Sequence, residues 1–257
     1  MTRFFAILSF LTRIPVPISV EFDPEFHKGI KYFTLVGLIL SIFYGAIGYF
    51  LYPIFGAFVT AVLIVLGGVL LTGGLHLDGV ADTFDGIFSY RDKERILEIM
   101  KDSRIGSNGV IALIFLILLK VGFMKQLLDM EQISLIAMTP IIGRQALAFA
   151  TYKTKTPREN GMGNVFIGKS SLIDIIFSMI ITVAGFFIWG ISFFQANQIL
   201  LISLSVILLI FIYTRIYIYG VERVIDGITG DILGSICETS EVFYLMIIIV
   251  MTFMGVI

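Results

Sequence analysis

Charge and cysteine are both scarce in this chain. Of its 257 residues, 14% are charged, where a soluble domain carries about 25%. The single cysteine, Cys237, excludes an internal disulfide framework. The only histidines, His27 and His76, are not spaced as a metal pair. No P-loop, G-x-S-x-G elbow or H-E-x-x-H occurs, so the simplest signatures of nucleotide hydrolysis, serine esterase and zinc protease chemistry are missing. A net charge of -1 leaves no basic surface for nucleic acid. There is no low-complexity segment and no clear internal repeat. What is abundant is apolar: 58% of residues are hydrophobic and the mean hydropathy is +0.99. The chain therefore reads as an all-α integral membrane protein, one polytopic domain over residues 1–257. The first apolar run, FFAILSFL at 4–11, is too short to span, and Arg13 and Pro15 follow it without a small-residue cleavage pattern. It reads as a short helix in the membrane interface.

Seven longer apolar segments follow, at about 32–52, 57–77, 107–124, 133–151, 172–193, 198–218 and 241–257, and seven spans are expected. Lysine and arginine gather before the first segment, in 78–106 and in 152–171, and are absent from the turns near 53–56 and 194–197. The positive-inside rule then puts the N-terminus, 78–106, 152–171 and 219–240 in the cytoplasm and the C-terminus outside. The expected location is a bacterial or archaeal cytoplasmic membrane.

Three acids crowd the end of the second segment. If helix continues through DGVADTFDG, spacings of four and three put Asp78, Asp82 and Asp85 on one stripe. Like charges there repel unless protonated or bridged by a divalent cation, which such oxygen ligands suit. A second acidic stripe appears in GITGDILGSICETSE, where Asp231, Glu238 and Glu241 share a face with Gly227 and Gly234 if the segment is helical. Cations stand near both. Lys101 and Arg104, with Asp102 and Ser103, precede Gly106 and Gly109 at a helix start, an arrangement able to hold phosphate. Arg144 lies inside the fourth span, where an unpaired charge costs a few kcal/mol. Arg158, Gly161 and Gly163 form a flexible basic loop. Acids with a divalent cation, plus Arg and Lys, are the equipment of phosphoryl transfer.

DGVADTFDG at 78–86, MKDSRIG at 100–106 and the 227–241 segment resemble the motifs of the cobalamin synthase family, the adenosylcobinamide-GDP ribazoletransferases. FLTRIPVP at 10–17, GGLHLDG at 73–79 and R-x-x-G-x-G at Arg158–Gly163 match it as well. Thr34, FSY at 88–90 and Asn108 depart from the pattern. The resemblance implies transfer between adenosylcobinamide-GDP and α-ribazole or its 5′-phosphate, with GMP released, at a membrane and with Mg²⁺. It implies Asp78, Asp82, Asp85 and Asp231 as metal ligands. Glu238 or Glu241 would take the acceptor's proton, in a catalytic set with Asp82 and Asp85. His76, Lys101, Asp102, Ser103, Arg104, Arg144, Arg158, Gly161 and Gly163 would bind substrate. Two other readings compete. DTFDG also opens the CDP-alcohol phosphatidyltransferase pattern, but Ser89 and Tyr90 stand where that pattern needs A-R. A transporter would need charges near the midplane and repeated halves.

Overall fold

A computed structural model describes residues 2–17 and 23–257, and every regular element among them is helical. Among the described residues, six helices are long and apolar enough to cross a membrane. The first begins with a 3-10 turn, Phe26–Tyr32, and continues as α2, Phe33–Thr72. At Gly56 the backbone takes φ 72° and ψ 178°, a conformation essentially reserved for glycine. The helix folds back there: Ile47 reaches Gly67, and the Tyr44 ring covers Gly68. Two antiparallel limbs result, 33–55 and 57–72, so the six helices supply the seven apolar limbs expected from the sequence. Before them, α1, Thr2–Leu11, packs Ile7, Leu8 and Leu11 into the bundle. At about 1.5 Å per residue it is too short to span.

The remaining helices are α3, Leu75–Ile87; α4, Lys93–Ile99; α5, Ser107–Asp129; α6, Ile133–Ala137; α7, Thr139–Ala150; α8, Leu172–Gly190; α9, Ala196–Ile225; and α10, Gly230–Phe253. All residues of α7 are buried. It forms the axis of the bundle, with α2 and α10 as its chief neighbours. The outward faces of α5, α8 and α9 expose Ile114, Leu118, Ile180, Leu204 and Leu208 by about half. In water such a surface would aggregate; in a bilayer it is the lipid face.

Three boundaries differ from the sequence reading. The second limb ends at Thr72, because Gly73 and Gly74 are both left-handed, φ 66° and 69°, and break the helix. The acids of α3 therefore ride on a separate short helix and not on a continued span. The fourth segment is broken at Met138, ahead of Pro140 in the first turn of α7. The connection expected at 219–240 shrinks to a turn over 226–229, since α9 runs to Ile225 and α10 starts at Gly230. Thr229 caps α10 by accepting from the Ile232 N–H.

One end of the bundle collects the polar connections. The Arg13 N–H donates to the Leu71 carbonyl at 2.6 Å, Lys155 pairs with Asp226 at 2.5 Å, and Arg158 Nη2 donates to the Leu97 carbonyl at 3.2 Å. Residues 73–106, 151–171 and 226–229 thus lie together.

Candidate active site

Two helices must approach closely for that end to form a site. α10 packs on α3 through Gly79, where a Cβ would stand 2.5 Å from the Asp231 carbonyl oxygen, and through Gly234, which lies over the His76 backbone. The loop after α7 joins them at Gly163, where a Cβ would stand 2.6 Å from the Gly230 backbone. Glycine at these points removes the side chains that would hold acids and cations apart.

Two adjoining hollows result. The smaller, about 370 Å³, is lined on its polar side by His76, Asp78, Lys101, Arg158, Gly161, Gly163 and Asp231. The larger, about 700 Å³, is lined by Arg13, Asp78, Asp82, Lys101, Asp102 and Ser103. Asp78 and Lys101 stand on the divide, belonging to both. In the smaller hollow Arg158 Nη1 donates to Asp231 Oδ2 at 3.1 Å, and the Thr229 hydroxyl donates to the same oxygen at 3.2 Å. In the larger, the Asp82 carboxyl is pushed up to about 7, by burial first and then by the charges of Asp78, Asp231 and Asp85. His76 is buried, and desolvation, followed by the Arg144 charge, lowers it to about 3, so its ring is neutral.

Five expected site residues lie elsewhere. Asp85 is turned into the start of α5: its oxygens accept from the Gly106 N–H at 2.7 Å and the Gly109 N–H at 2.8 Å. The carboxylate satisfies orphan donors of a helix N-terminus, so it is a cap and not an open metal ligand. Arg104 is the most exposed of the group, its side chain 87% accessible, and forks onto Asp102 at 3.0 and 2.7 Å. That pair holds the Asp102 carboxyl down at about 2.

Arg144, Glu238 and Glu241 form a second cluster inside the bundle, and with them is a residue not expected in the site, Lys120 of α5. Lys120 Nζ donates to Glu238 at 2.5 Å and to Glu241 at 2.6 Å, and Arg144 Nη1 donates to Glu241 at 2.8 Å. All four are buried. Two cations against two carboxylates leave no net charge, which is the condition for keeping them there. Glycine again permits the approach: a Cβ on Gly143 would meet Glu241 Oε1 at 2.6 Å. Glu238 and Glu241 are thus committed to Lys120 and Arg144 and are not free acceptors of a proton. Arg144 is an ion-pair partner, not an open phosphate ligand. The rule that drew attention to Arg144, a charge within a span, applies equally to Lys120 and would have found it.

The expected ligand set of four acids is therefore divided. Asp78 and Asp82 share the larger hollow, Asp231 faces the smaller, and Asp85 is withdrawn. Among the described residues, no three His, Cys, Asp or Glu side chains converge as a ready-made metal cage. The acids that remain still fit Mg²⁺, which typically takes one or two carboxylates and fills its shell with phosphate oxygens and water. The raised Asp82 carboxyl marks negative charge that the surrounding side chains leave only partly matched.

Residues 3–249 match the family model described as cobalamin-5-phosphate synthase. An adenosylcobinamide-GDP ribazoletransferase of Clostridioides difficile is 46% identical, over 99% of both chains. Proteins of that same description from Alkaliphilus metalliredigens and Klebsiella pneumoniae are 42% and 39% identical, over 99% and 95% of this chain and 98% and 97% of theirs. No solved structure matches the chain. With nearly its whole length matched, and Asp78, Asp82 and Asp231 of the motifs lining two hollows at one end of a helical bundle, the chain belongs to the cobalamin-5-phosphate synthase family.

Proposed function

We propose that this chain is an adenosylcobinamide-GDP ribazoletransferase, joining adenosylcobinamide-GDP to α-ribazole or its 5′-phosphate. The products are adenosylcobalamin or its 5′-phosphate, and GMP. The observation that carries this reading is the pair of hollows meeting at Asp78 and Lys101, in a chain 46% identical over nearly its full length to a relative of that name. A transfer between two substrates needs both held together at one set of reacting groups, and two hollows that share Asp78 and Lys101 allow it.

In this reading the larger hollow takes the diphosphate. Lys101 and Ser103 hold its oxygens, and Asp78 and Asp82 would hold Mg²⁺ against it. A bound Mg²⁺ neutralises charge on the departing phosphate. The smaller hollow takes the acceptor, which Arg158 and Asp231 orient. The acceptor's hydroxyl oxygen bonds to the phosphorus that carries cobinamide. The bond from that phosphorus to the bridging oxygen breaks, and its electron pair leaves with GMP. Asp231, beside the acceptor, receives the hydroxyl proton on Oδ1, since the hydrogen bonds from Arg158 and Thr229 both go to Oδ2. Holding both partners in line supplies most of the advantage over solution. The polar end faces the cytoplasm, since Lys93, Lys101, Arg104, Lys153 and Lys155 gather there.

The test is GMP release by the full chain in detergent, with each substrate omitted in turn and Mg²⁺ titrated. Release that requires both substrates and Mg²⁺ is expected, and Asp78→Asn should raise the Mg²⁺ needed. Release without α-ribazole, or none at all, overturns the assignment, and Mg²⁺-independent release overturns the metal role.

A further inference from the structure

The smaller hollow has an end that the reaction has not used. Besides Arg158 and Asp231, its lining includes the apolar wall residues Phe10, Leu11, Phe33, Leu147 and Phe166. Three of these are one aromatic unit. The Phe166 ring lies 5.5 Å from Phe10 at 47° and 5.3 Å from Phe33 at 70°. These are the tilted and edge-to-face arrangements that aromatic pairs prefer. Phe33 and Phe166 are held in place by burial, 2% and 3% exposed. The wall is assembled from four distant parts of the chain: α1, the first limb of α2, α7, and the loop that also carries Gly161 and Gly163.

We propose that this apolar end is the base subsite of the acceptor, receiving the planar benzimidazole ring of α-ribazole while Asp231 and Arg158 hold its sugar end. The inference rests on the reaction assigned above and adds which substrate enters which hollow, and by which contacts. Size excludes one alternative: a cavity of about 370 Å³ admits a two-ring base with its ribose but not a corrin macrocycle. Polarity excludes another. Guanine carries hydrogen-bonding groups along its edge, and among phenylalanine and leucine side chains they would go unpaired, at a cost of about 1–3 kcal/mol each. A dimethylbenzimidazole bound through one ring nitrogen keeps a single acceptor atom and otherwise presents carbon. Of the rings in the two substrates, it alone matches this wall. A base seated among the phenylalanines leaves its ribose to Arg158 and Asp231, which line the same cavity.

The experiment separates the subsite from the reaction. Equilibrium binding of α-ribazole alone is measured on the full chain in detergent, for the parent, Phe10→Ala and Phe166→Leu, with melting temperature confirming that each is folded. Loss of one stacking partner should weaken binding roughly tenfold, and Phe10→Trp should bind like the parent. In the GMP-release assay the same two variants should raise KM for α-ribazole by a similar factor and leave KM for adenosylcobinamide-GDP unchanged. Free dimethylbenzimidazole should compete with α-ribazole, and guanosine should not. Folded variants that bind α-ribazole as the parent does overturn the subsite, as does a KM effect confined to adenosylcobinamide-GDP. If the parent binds α-ribazole through these residues yet releases no GMP, the subsite stands and the reaction assignment falls.

Discussion

At the scale of single residues, the structure separates carboxylates that look equivalent in the sequence. Asp85 and Asp82 belong to one motif, yet Asp85 caps α5 and Asp82 faces the larger hollow. Glu241 accepts from both Lys120 and Arg144. Glu241→Gln leaves two buried cations against one carboxylate and should cost about 3–5 kcal/mol, read as a lowered melting temperature in detergent. With Glu241 intact, Lys120→Met combined with Glu238→Gln removes one charge of each sign, keeps the neutral Arg144–Glu241 pair and should cost much less than Glu241→Gln alone. Were Glu241 the proton acceptor instead, turnover would vanish at unchanged stability. Asp82 gives a pH signature. Its carboxyl is raised from 3.8 to about 7, so across that window the folded chain holds a proton that the unfolded chain has lost. Without divalent cations, stability should therefore fall as pH rises from about 4 through 7, by about 1–2 kcal/mol once solvent screening is counted. Asp82→Asn should flatten the profile, and an unchanged slope would assign it to another group. Which of several acids caps and which stands open was not legible in the sequence, because spacing fixes a helix face and not the partner opposite it.

At the scale of elements, the apolar runs were legible because lipid requires length. The limbs read near 32–52 and 57–77 and the turn between them emerged from hydropathy alone, although the second ends earlier, at Thr72. The boundary between α9 and α10 did not. Glu222 and Arg223 within α9, and Asp231 and Glu238 within α10, fell in the connection read over 219–240, because charge was equated with exposure. Glu238 is instead ion-paired with Lys120, and helix continues through it. The close approach of α3 and α10 is testable at its glycine. Gly79→Ala forces a methyl against the Asp231 backbone and should cost about 1–3 kcal/mol, with a larger loss of GMP release, because the acids on the two helices are displaced together. Gly122→Ala, in α5 with nothing near its added methyl, is the control and should be neutral or up to about 1 kcal/mol stabilising. Equal effects of the two would mean that the contact does not set the site.

At the scale of the whole molecule, the gathering of basic connections at one end makes topology decisive. A cysteine introduced near 90 should resist an impermeant thiol reagent in intact cells, and one near 195, at the other end, should react; the buried Cys237 should not interfere. The opposite labelling would reverse the orientation and put the hollows outside the cell. The central position of α7 has a consequence for how the protein is made. Its residues meet no lipid, and it carries Arg144. The carboxylate that neutralises Arg144 lies 97 residues later, on α10. Until α10 is synthesised, the nascent bundle holds a guanidinium in its middle without its final counter-charge. Assembly around the central helix therefore waits for α10, and a chain cut short before it lacks the charge on which its own centre depends.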